Sequence, residues 1–172
     1  MNTVPPDHCQ GKGAMQAIKI VLGEVEHLGA LADLMDQYRQ FYGQPSNRPA
    51  AEQFLFERMI NHESVIYLAQ DASSAQVIGF LQLYPSFSSV SLMPVWILND
   101  LYVSPAARRQ GVARALIRAA IGLVHERGDK GLTLETMPDN LSAQALYESL
   151  GFQRDAHSLY YHYWLAQPKG TD

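Results

Sequence analysis

Cysteine is almost absent from the sequence. Cys9 is the single cysteine among 172 residues, so the chain forms no internal disulfide and holds no cluster of thiolates around a metal. This composition fits a reducing compartment best. His157 and His162 lack a third ligand at metal-binding spacing, so we expect no metal site.

Long apolar runs and blocks of like charge are also missing. No stretch approaches the roughly 18 to 20 apolar residues that cross a bilayer, and residues 1–16 lack the pattern of a signal peptide. The formal net charge is -4, and no basic cluster marks a surface for nucleic acid or lipid. We expect a cytoplasmic protein that binds neither nucleic acid nor membranes.

The length and composition suit one globular domain. With 172 residues, 47% of them hydrophobic and 17% charged, the chain can bury a sizeable core but is short for two domains. We predict a flexible leader over residues 1–16, a single domain over residues 17–167 and a tail over residues 168–172. No internal repeat is present.

The spacing of apolar residues predicts a mixture of strands and helices. Alternation predicts strands, and spacing of three or four predicts helices. The predicted strands are 18–22, 65–69, 77–84, 95–103, 132–136 and 160–165, and the predicted helices are 24–43, 51–61, 112–127 and 140–150. A Ser-rich loop is expected over residues 85–94. This order of elements implies a mixed sheet flanked by helices.

The most informative segment is Arg108–Ala113 (RRQGVA), between a predicted strand and a predicted helix. Amides at a helix start bind phosphate with help from the helix dipole, and glycine lets the anion approach closely. Taken alone, Gly111 fits an ordinary strand-to-helix loop equally well. An ATP loop of the Walker type needs a lysine after its glycine, whereas Val112 follows Gly111 here.

A second motif changes the interpretation of this loop. Asn140–Phe152 (NLSAQALYESLGF), together with Leu101–Val103 and the loop, resembles the GNAT N-acetyltransferase superfamily. The loop of that family has Arg or Gln, two residues, Gly, one residue, then Gly or Ala, and Arg108, Gly111 and Ala113 match it. The resemblance implies an α/β fold with a splayed, mixed, mostly antiparallel sheet flanked by helices.

The resemblance also implies that acetyl-CoA is the donor. The pantetheine arm would pair with the end of the long strand, and the loop amides would hold the pyrophosphate. The cofactor-binding residues implied in this way are Leu101, Tyr102, Val103, Arg108, Arg109, Gln110, Gly111, Val112, Ala113, Arg114, Asn140 and Tyr147. Asn140 is also a good helix N-cap, and the two roles are compatible.

Two residues are candidates for catalysis. Tyr147 matches the family tyrosine that protonates the departing thiolate, although its helical spacing also fits a core residue. Several members of the family place a glutamate on the strand near Asn99, whereas this chain has Asn99 and Asp100 there, so Asp100 is the nearest carboxylate candidate. Asp100 is either the general base or a strand residue held by other contacts, with a water relay as the alternative base. An amide near Tyr102 or Val103 would stabilise the oxyanion.

The acceptor site is the least defined part of the sequence. Aromatic residues of the first helix and the central strands are candidates for lining it, and each also fits a core position. These candidates are Tyr38, Phe41, Tyr42, Tyr84, Phe87 and Trp96.

These features predict an enzyme that moves acetyl from acetyl-CoA to a primary amine by direct attack in a ternary complex. The acceptor would be a small amine, an amino acid or an amine of a protein or peptide, and a homodimer is expected from the resemblance. A sensor or scaffold that binds acyl-CoA without chemistry is the alternative.

Overall fold

The computed structural model describes residues 17–163 and residue 165. The predicted leader with Cys9 and the predicted tail lie outside the described residues. The chain divides into two compact units, Met1–Met137 and Pro138–Asp172. The single domain over residues 17–167 therefore stays a prediction. In the described part of the chain, no helix is both long and apolar enough to span a membrane.

The first unit is built on a five-stranded sheet. Its strands are β1 (Ile18–Leu22), β2 (Val65–Asp71), β3 (Val77–Ser88), β4 (Met93–Val103) and β5 (Leu132–Thr133). They lie in the order β1-β2-β3-β4-β5. All neighbouring pairs are antiparallel except β4 and β5, which are parallel. The predicted mixed, mostly antiparallel sheet flanked by helices is confirmed.

Three helices of the first unit flank this sheet, and one helix belongs to the second unit. They are α1 (Leu28–Phe41), α2 (Arg48–Ile60) and α3 (Val112–Arg127), and α4 (Leu141–Glu148) in the second unit. Glycines in the left-handed conformation stand at both ends of α3: Gly111 with φ 87° and Gly128 with φ 67°. Glycine is favoured there because other residues pay a steric cost at positive φ.

A buried carboxylate joins α1 to α2. Asp36 accepts hydrogen bonds from the Ser46 hydroxyl at 2.6 Å and from the Asn47 amide at 2.7 Å. Asn47 in turn caps α2, because its side chain accepts from the amide of Ala50 at 3.1 Å. These bonds hold the pKa of Asp36 below its ordinary value. The same contacts fix where α2 starts relative to α1.

The core lies on both faces of the sheet. On one face, α1 and α2 pack over the apolar cluster formed by Leu31, Ala32, Leu34, Met35, Ala51, Leu55, Ile66, Leu68, Phe80 and Tyr102. On the other face, α3 contributes the buried Leu116 and Ile117. A Cβ built on Gly79 would lie 3.3 Å from Cγ1 of Val112, so the odd-numbered residues of β3 around Gly79 face α3.

Three predicted elements differ from the structure. The strand expected over residues 132–136 forms only at Leu132–Thr133, as β5. Residues 85–94 were expected to form a loop, but β3 runs through Pro85 to Ser88 and β4 starts at Met93. Proline is tolerated because β2 pairs with β3 only up to Leu83, so its missing N–H breaks no bond to β2. The predicted strand over 160–165 is wrong for Tyr160–Tyr163, where the side chains are exposed and no strand forms; residue 164 lies outside the described residues.

The tight contact at Gly79 makes a test of this packing. A Cβ at Gly79 would lie 2.8 Å from the carbonyl oxygen of Tyr102, so Gly79→Ala should lower the free energy of unfolding by about 1 to 3 kcal/mol. The matched control is Gly122→Ala inside α3, where a Cβ meets nothing within 4 Å. That change should raise stability by up to about 1 kcal/mol. Urea unfolding of both variants gives the two signs, and equal effects would contradict the packing.

Candidate active site

Among the residues that the structure describes, the long strand β4 has an open edge beyond Ile97. The described part of β5 pairs only with Trp96 and Ile97 of β4. Backbone groups alternate in direction along a strand, and Ser104 donates its amide to Ile78 of β3 at 2.9 Å. The carbonyl of Tyr102 also lies against β3, at Gly79. The amides and carbonyls of the intervening Leu101 and Val103 therefore point to the open edge.

A β-bulge lies in the middle of this strand. Gln82 pairs with Asp100 and Leu83 pairs with Leu98, so Asn99 is an extra residue with no partner on β3. Because Gln82 and Leu83 face opposite sides of the sheet, Leu98 and Asp100 also face opposite sides. The bulge therefore directs Asp100 toward the face covered by α1, while Leu98 faces α3.

Asp100 is buried beside polar side chains from α1 and β4. It is 6% exposed, and its Oδ2 accepts from Nδ2 of Asn99 at 3.1 Å. Burial raises the pKa of Asp100, and the neighbouring Asn99 amide and Tyr38 hydroxyl lower it in part. Burial and the neighbouring Asp100 charge raise the pKa of Tyr38, and they raise the pKa of Tyr84 to about 12.

The loop from β4 to α3 presents backbone amides at the helix start. After a 3-10 turn over Pro105–Ala107, Arg109 has φ 64° and Gly111 has φ 87°. The first amides of an α-helix have no acceptor within the helix, and in α3 the Ala115 amide bonds the carbonyl of Gly111 at 3.0 Å. A Cβ at Gly111 would meet nothing within 4 Å, so the space above the glycine is open. These features fit a bound phosphate.

Arg108 takes a position that the sequence did not indicate. Its Nε donates to the carbonyl of Val103 at 3.1 Å. Its guanidinium lies 5.7 Å from the ring centroid of Tyr102 and 5.9 Å from that of Phe41. Arg108 therefore bonds to the open edge at the end of β4, and its charge lies over the aromatic rings.

The aromatic candidates for the acceptor site are not all together. Tyr38 and Tyr42 are in edge contact, with ring centroids 5.0 Å apart. Besides burial, the charge of Asp100 raises the pKa of both Tyr38 and Tyr84. Phe87, near the end of β3, is 78% exposed. Trp96 is buried on the side of α3. Its Nε1 donates to Asp129 at 2.8 Å, and Arg127 lies 5.5 Å from its ring centroid.

In the second unit, the candidates lie on and before α4. The side chain of Asn140 accepts from the amide of Ala143 at 3.3 Å, so Asn140 is the N-cap of α4. Tyr147 is partly buried, and its ring centroid lies 5.8 Å from that of Phe152. The amide of Phe152 also donates to the carbonyl of Tyr147 at 3.1 Å. These contacts fix the position of Tyr147 within its own unit.

Comparison with known proteins assigns the family. Residues 31–152 match the model of the Acetyltransferase (GNAT) family. The chain belongs to this family. The match spans β2 to β5, the loop before α3 and the whole of α4, so it includes every segment on which the sequence resemblance rests.

Similar proteins are acetyltransferases by name. An uncharacterized N-acetyltransferase, YhfO of Bacillus subtilis, is 46% identical over 132 residues, which are 77% of this chain and 87% of that protein. A probable acetyltransferase of Haemophilus influenzae is 33% identical, over 79% of this chain and 90% of its own. The crystal structure of a probable acetyltransferase is 43% identical, with a TM-score of 0.83, over 87% of this chain and 99% of its own. The chain is therefore an acyltransferase of the N-acetyltransferase type.

Removing the charge from two buried carboxylates, Asp100 and Asp129, should change the stability at neutral pH in opposite directions. The folded protein favours protonated Asp100, so Asp100→Asn should be more stable than wild type at neutral pH. The difference should disappear as the pH falls below 3.8, the ordinary pKa of aspartate. The bond from Trp96 and the bond and charge of Arg127 lower the pKa of Asp129, so Asp129→Asn should be less stable at neutral pH.

The measurement is urea unfolding of wild type and the two variants between pH 3 and pH 8. The Asp129→Asn difference should also shrink toward acid pH, because protonation removes the same interaction from the wild type. Destabilisation by Asp100→Asn at neutral pH would show that the carboxylate is held in its charged form.

Proposed function

We propose that the protein transfers acetyl from acetyl-CoA to a primary amine by direct attack within a ternary complex. One observation carries the proposal: the open edge of β4 leads straight into a helix start with exposed amides. An extended thioester arm needs a strand edge to pair with, and a diphosphate needs converging N–H groups. Acetyltransferases of this fold use acetyl-CoA, and both features lie within the matched residues.

The strand and the loop would bind different parts of acetyl-CoA. Backbone groups of Leu101 would pair with the pantetheine arm. The Val103 amide stays open for the thioester, whereas Arg108 bonds the Val103 carbonyl and the backbone groups of Tyr102 face β3. The amides of the loop and first helical turn would bind the pyrophosphate. The side chains of Arg109 and Arg114 would add to the positive potential of the helix dipole. The residues of the loop and first turn are Arg109, Gln110, Gly111, Val112, Ala113 and Arg114.

Bound acetyl-CoA supplies a thioester whose carbonyl carbon the amine attacks. In our proposal Asp100 takes the proton of the amine, because burial gives this carboxylate a pKa above the ordinary value and makes it a stronger base. The Val103 amide, at the open edge, stabilises the oxyanion. Tyr147 gives a proton to the departing thiolate. No covalent enzyme intermediate is proposed, since Cys9 is the single cysteine and precedes the family match.

The acceptor we propose is an amine that carries positive charge. Besides burial, the negative charges of Asp100 and Glu63 both raise the pKa of Tyr84. Arg58 is paired with Glu63 and Glu57. Carboxylates therefore outnumber cations around this part of β3, which favours a cationic partner. A small amine, an amino acid and a peptide amine all satisfy this description. The cytoplasmic location and the homodimer stay predictions from the sequence.

The donor site is tested by matched glycine variants at the two ends of α3. Gly111→Ala and Gly128→Ala both place a Cβ at positive φ, so each should cost about 1 to 2 kcal/mol of stability. The Gly111 change should also weaken acetyl-CoA binding by about tenfold or more, because its methyl group enters the proposed phosphate space. Calorimetric titration with acetyl-CoA checks this. Equal affinity in the two variants would exclude Gly111 from the donor site.

The role of Tyr147 is tested by removing its hydroxyl. Tyr147→Phe should lower kcat about 100-fold and leave the acetyl-CoA dissociation constant within about twofold, since a general acid acts in the transition state. Tyr161→Phe, an 88% exposed position of the same unit, is the control and should keep full turnover. Unchanged turnover in Tyr147→Phe would remove the residue from the acid role.

The acceptor class is tested by a screen that follows thiol release and product mass. The panel contains a linear diamine, lysine methyl ester, a lysine-containing peptide and aniline, a primary amine that is uncharged at neutral pH, each with acetyl-CoA. Cationic amines should be acetylated, with one CoA released per acetyl group transferred. Acetyl-CoA binding without CoA release across the panel would favour a non-catalytic sensor.

A further inference from the structure

The side chain of Gln82 is buried with one polar atom unsatisfied. Gln82 is 0% exposed, and its Nε2 donates to the hydroxyl of Ser64 at 3.0 Å. In the part of the chain that the structure describes, its Oε1 is the one buried side-chain oxygen or nitrogen without a hydrogen-bond partner. Folded proteins rarely leave such an atom unpaired, because its hydration is lost and nothing replaces it. The oxygen therefore needs a donor that the resting protein does not supply.

Asp100 is the residue directly opposite Gln82. The two are partners in the register of β3 and β4, immediately before the bulge at Asn99. Residues directly opposite in an antiparallel pair point to the same face, with their Cβ atoms about 5 Å apart. Both side chains are buried on the α1 side of the sheet. An ionised carboxylate has only acceptor atoms, so Asp100 in that form gives Oε1 no hydrogen bond.

Protonation changes Asp100 from an acceptor into a donor. A carboxylic acid has one O–H group, and burial, which raises the pKa of Asp100, already favours this form. We propose that Gln82 is a positioning residue whose Oε1 accepts a hydrogen bond from Asp100 after this carboxylate has taken the proton of the amine. The use of this contact in catalysis rests on the proposed function.

The proton is accounted for at each stage of the cycle. The lone pair of the amine forms the bond to the acetyl carbon, one N–H bond breaks and leaves its electrons on nitrogen, and an O–H bond forms on Asp100. The new O–H group then donates to Oε1 of Gln82. When Asp100 loses this proton to solvent, the carboxylate is regenerated and Oε1 is unpaired again.

The hydrogen-bond donors around Asp100 favour its charged form. Burial raises the pKa of this carboxyl, whereas the Asn99 amide on β4 and the Tyr38 hydroxyl on α1 lower it. The remaining titratable and charged groups on this side are Tyr84 of β3, Arg58 of α2 and Glu63 after it, of which the last two pair with each other. These neighbours stabilise the carboxylate or act at a greater distance through Tyr84.

Gln82 has the opposite effect on Asp100. The Ser64 hydroxyl accepts from its N–H group, so the oxygen is the atom of the amide that is left over. An acceptor beside a carboxyl stabilises the protonated form and disfavours the charge. Gln82 therefore makes Asp100 a stronger base for the amine.

The pKa of Asp100 tests this contact without turnover. Carbon-13 NMR titration of its carboxyl in the full-length chain, assigned with Asp100→Asn, should give a pKa about one pH unit lower in Gln82→Leu than in wild type, because the acid form loses its acceptor. Gln70→Leu is the same change on β2, at the pair with Lys19 and Val77, and should leave this pKa unchanged. An unchanged or higher Asp100 pKa in Gln82→Leu would overturn the proposal.

A second variant tests whether the two side chains meet. Gln82→Glu keeps the size of the side chain and places a second carboxyl opposite Asp100. Two carboxyl groups that share one proton titrate in two widely separated steps, because two adjacent negative charges repel each other. We expect such coupled steps in this variant. Two carboxyls that titrate independently would show that the side chains do not meet, and would contradict the contact.

Turnover connects the contact to the proposed chemistry. With acetyl-CoA and whichever amine of the panel releases CoA fastest, kcat/KM of wild type should rise with pH as Asp100 loses its proton. In Gln82→Leu this rise should move to lower pH by the same amount as the NMR pKa, and kcat at high pH should fall about three- to tenfold because the base is weaker.

The outcomes separate the contact from the reaction. A rise in kcat/KM that stays at the same pH in Gln82→Leu, while the NMR pKa of Asp100 moves, would overturn the role of the contact in catalysis. A wild type that releases no CoA would instead overturn the proposed function, and the two NMR titrations would still decide whether Gln82 bonds protonated Asp100.

Discussion

The early end of pairing between β4 and β5 is the constraint on which the site depends. β5 bonds β4 only at Trp96 and Ile97, and the bulge at Asn99 follows two residues later. Beyond this point β4 keeps β3 on one side and turns the backbone groups of Leu101 and Val103 to the other. A continuous ladder would satisfy those groups internally and leave no strand edge for an extended ligand.

The contacts at the start of β4 hold this arrangement in place. Trp96 donates its amide to Gly131 at 3.0 Å and its indole N–H to Asp129, so this tryptophan anchors the strand where the pairing exists. At the other end, Gly79 lets the start of α3 approach β3 closely, so the loop before α3 lies beside the open edge. The bulge then separates the two faces, with Leu98 toward α3 and Asp100 toward α1.

Residue patterns predicted the parts of the fold that depend on local sequence. The bounds of α3 follow from Gly111 and Gly128, since glycine at both ends marks the left-handed caps. The bulge at Asn99 has no such mark, because it arises from the register between β3 and β4. The contact of Tyr38 with Asp100 joins α1 to β4, and spacing along one element does not reveal it. Aromatic alternation suggested a strand over 160–165, where the described side chains are exposed.

The central claim is that acetyl-CoA lies along the open edge of β4 and across the start of α3. Residue-resolved amide hydrogen exchange, with and without acetyl-CoA, tests it most directly. The amides of Leu101, Val103 and Gly111 should exchange fast in the free protein and become protected by acetyl-CoA. The Tyr102 amide, which faces β3, should be slow in both states. Protection confined to other segments, or no change at these three amides, would contradict the account.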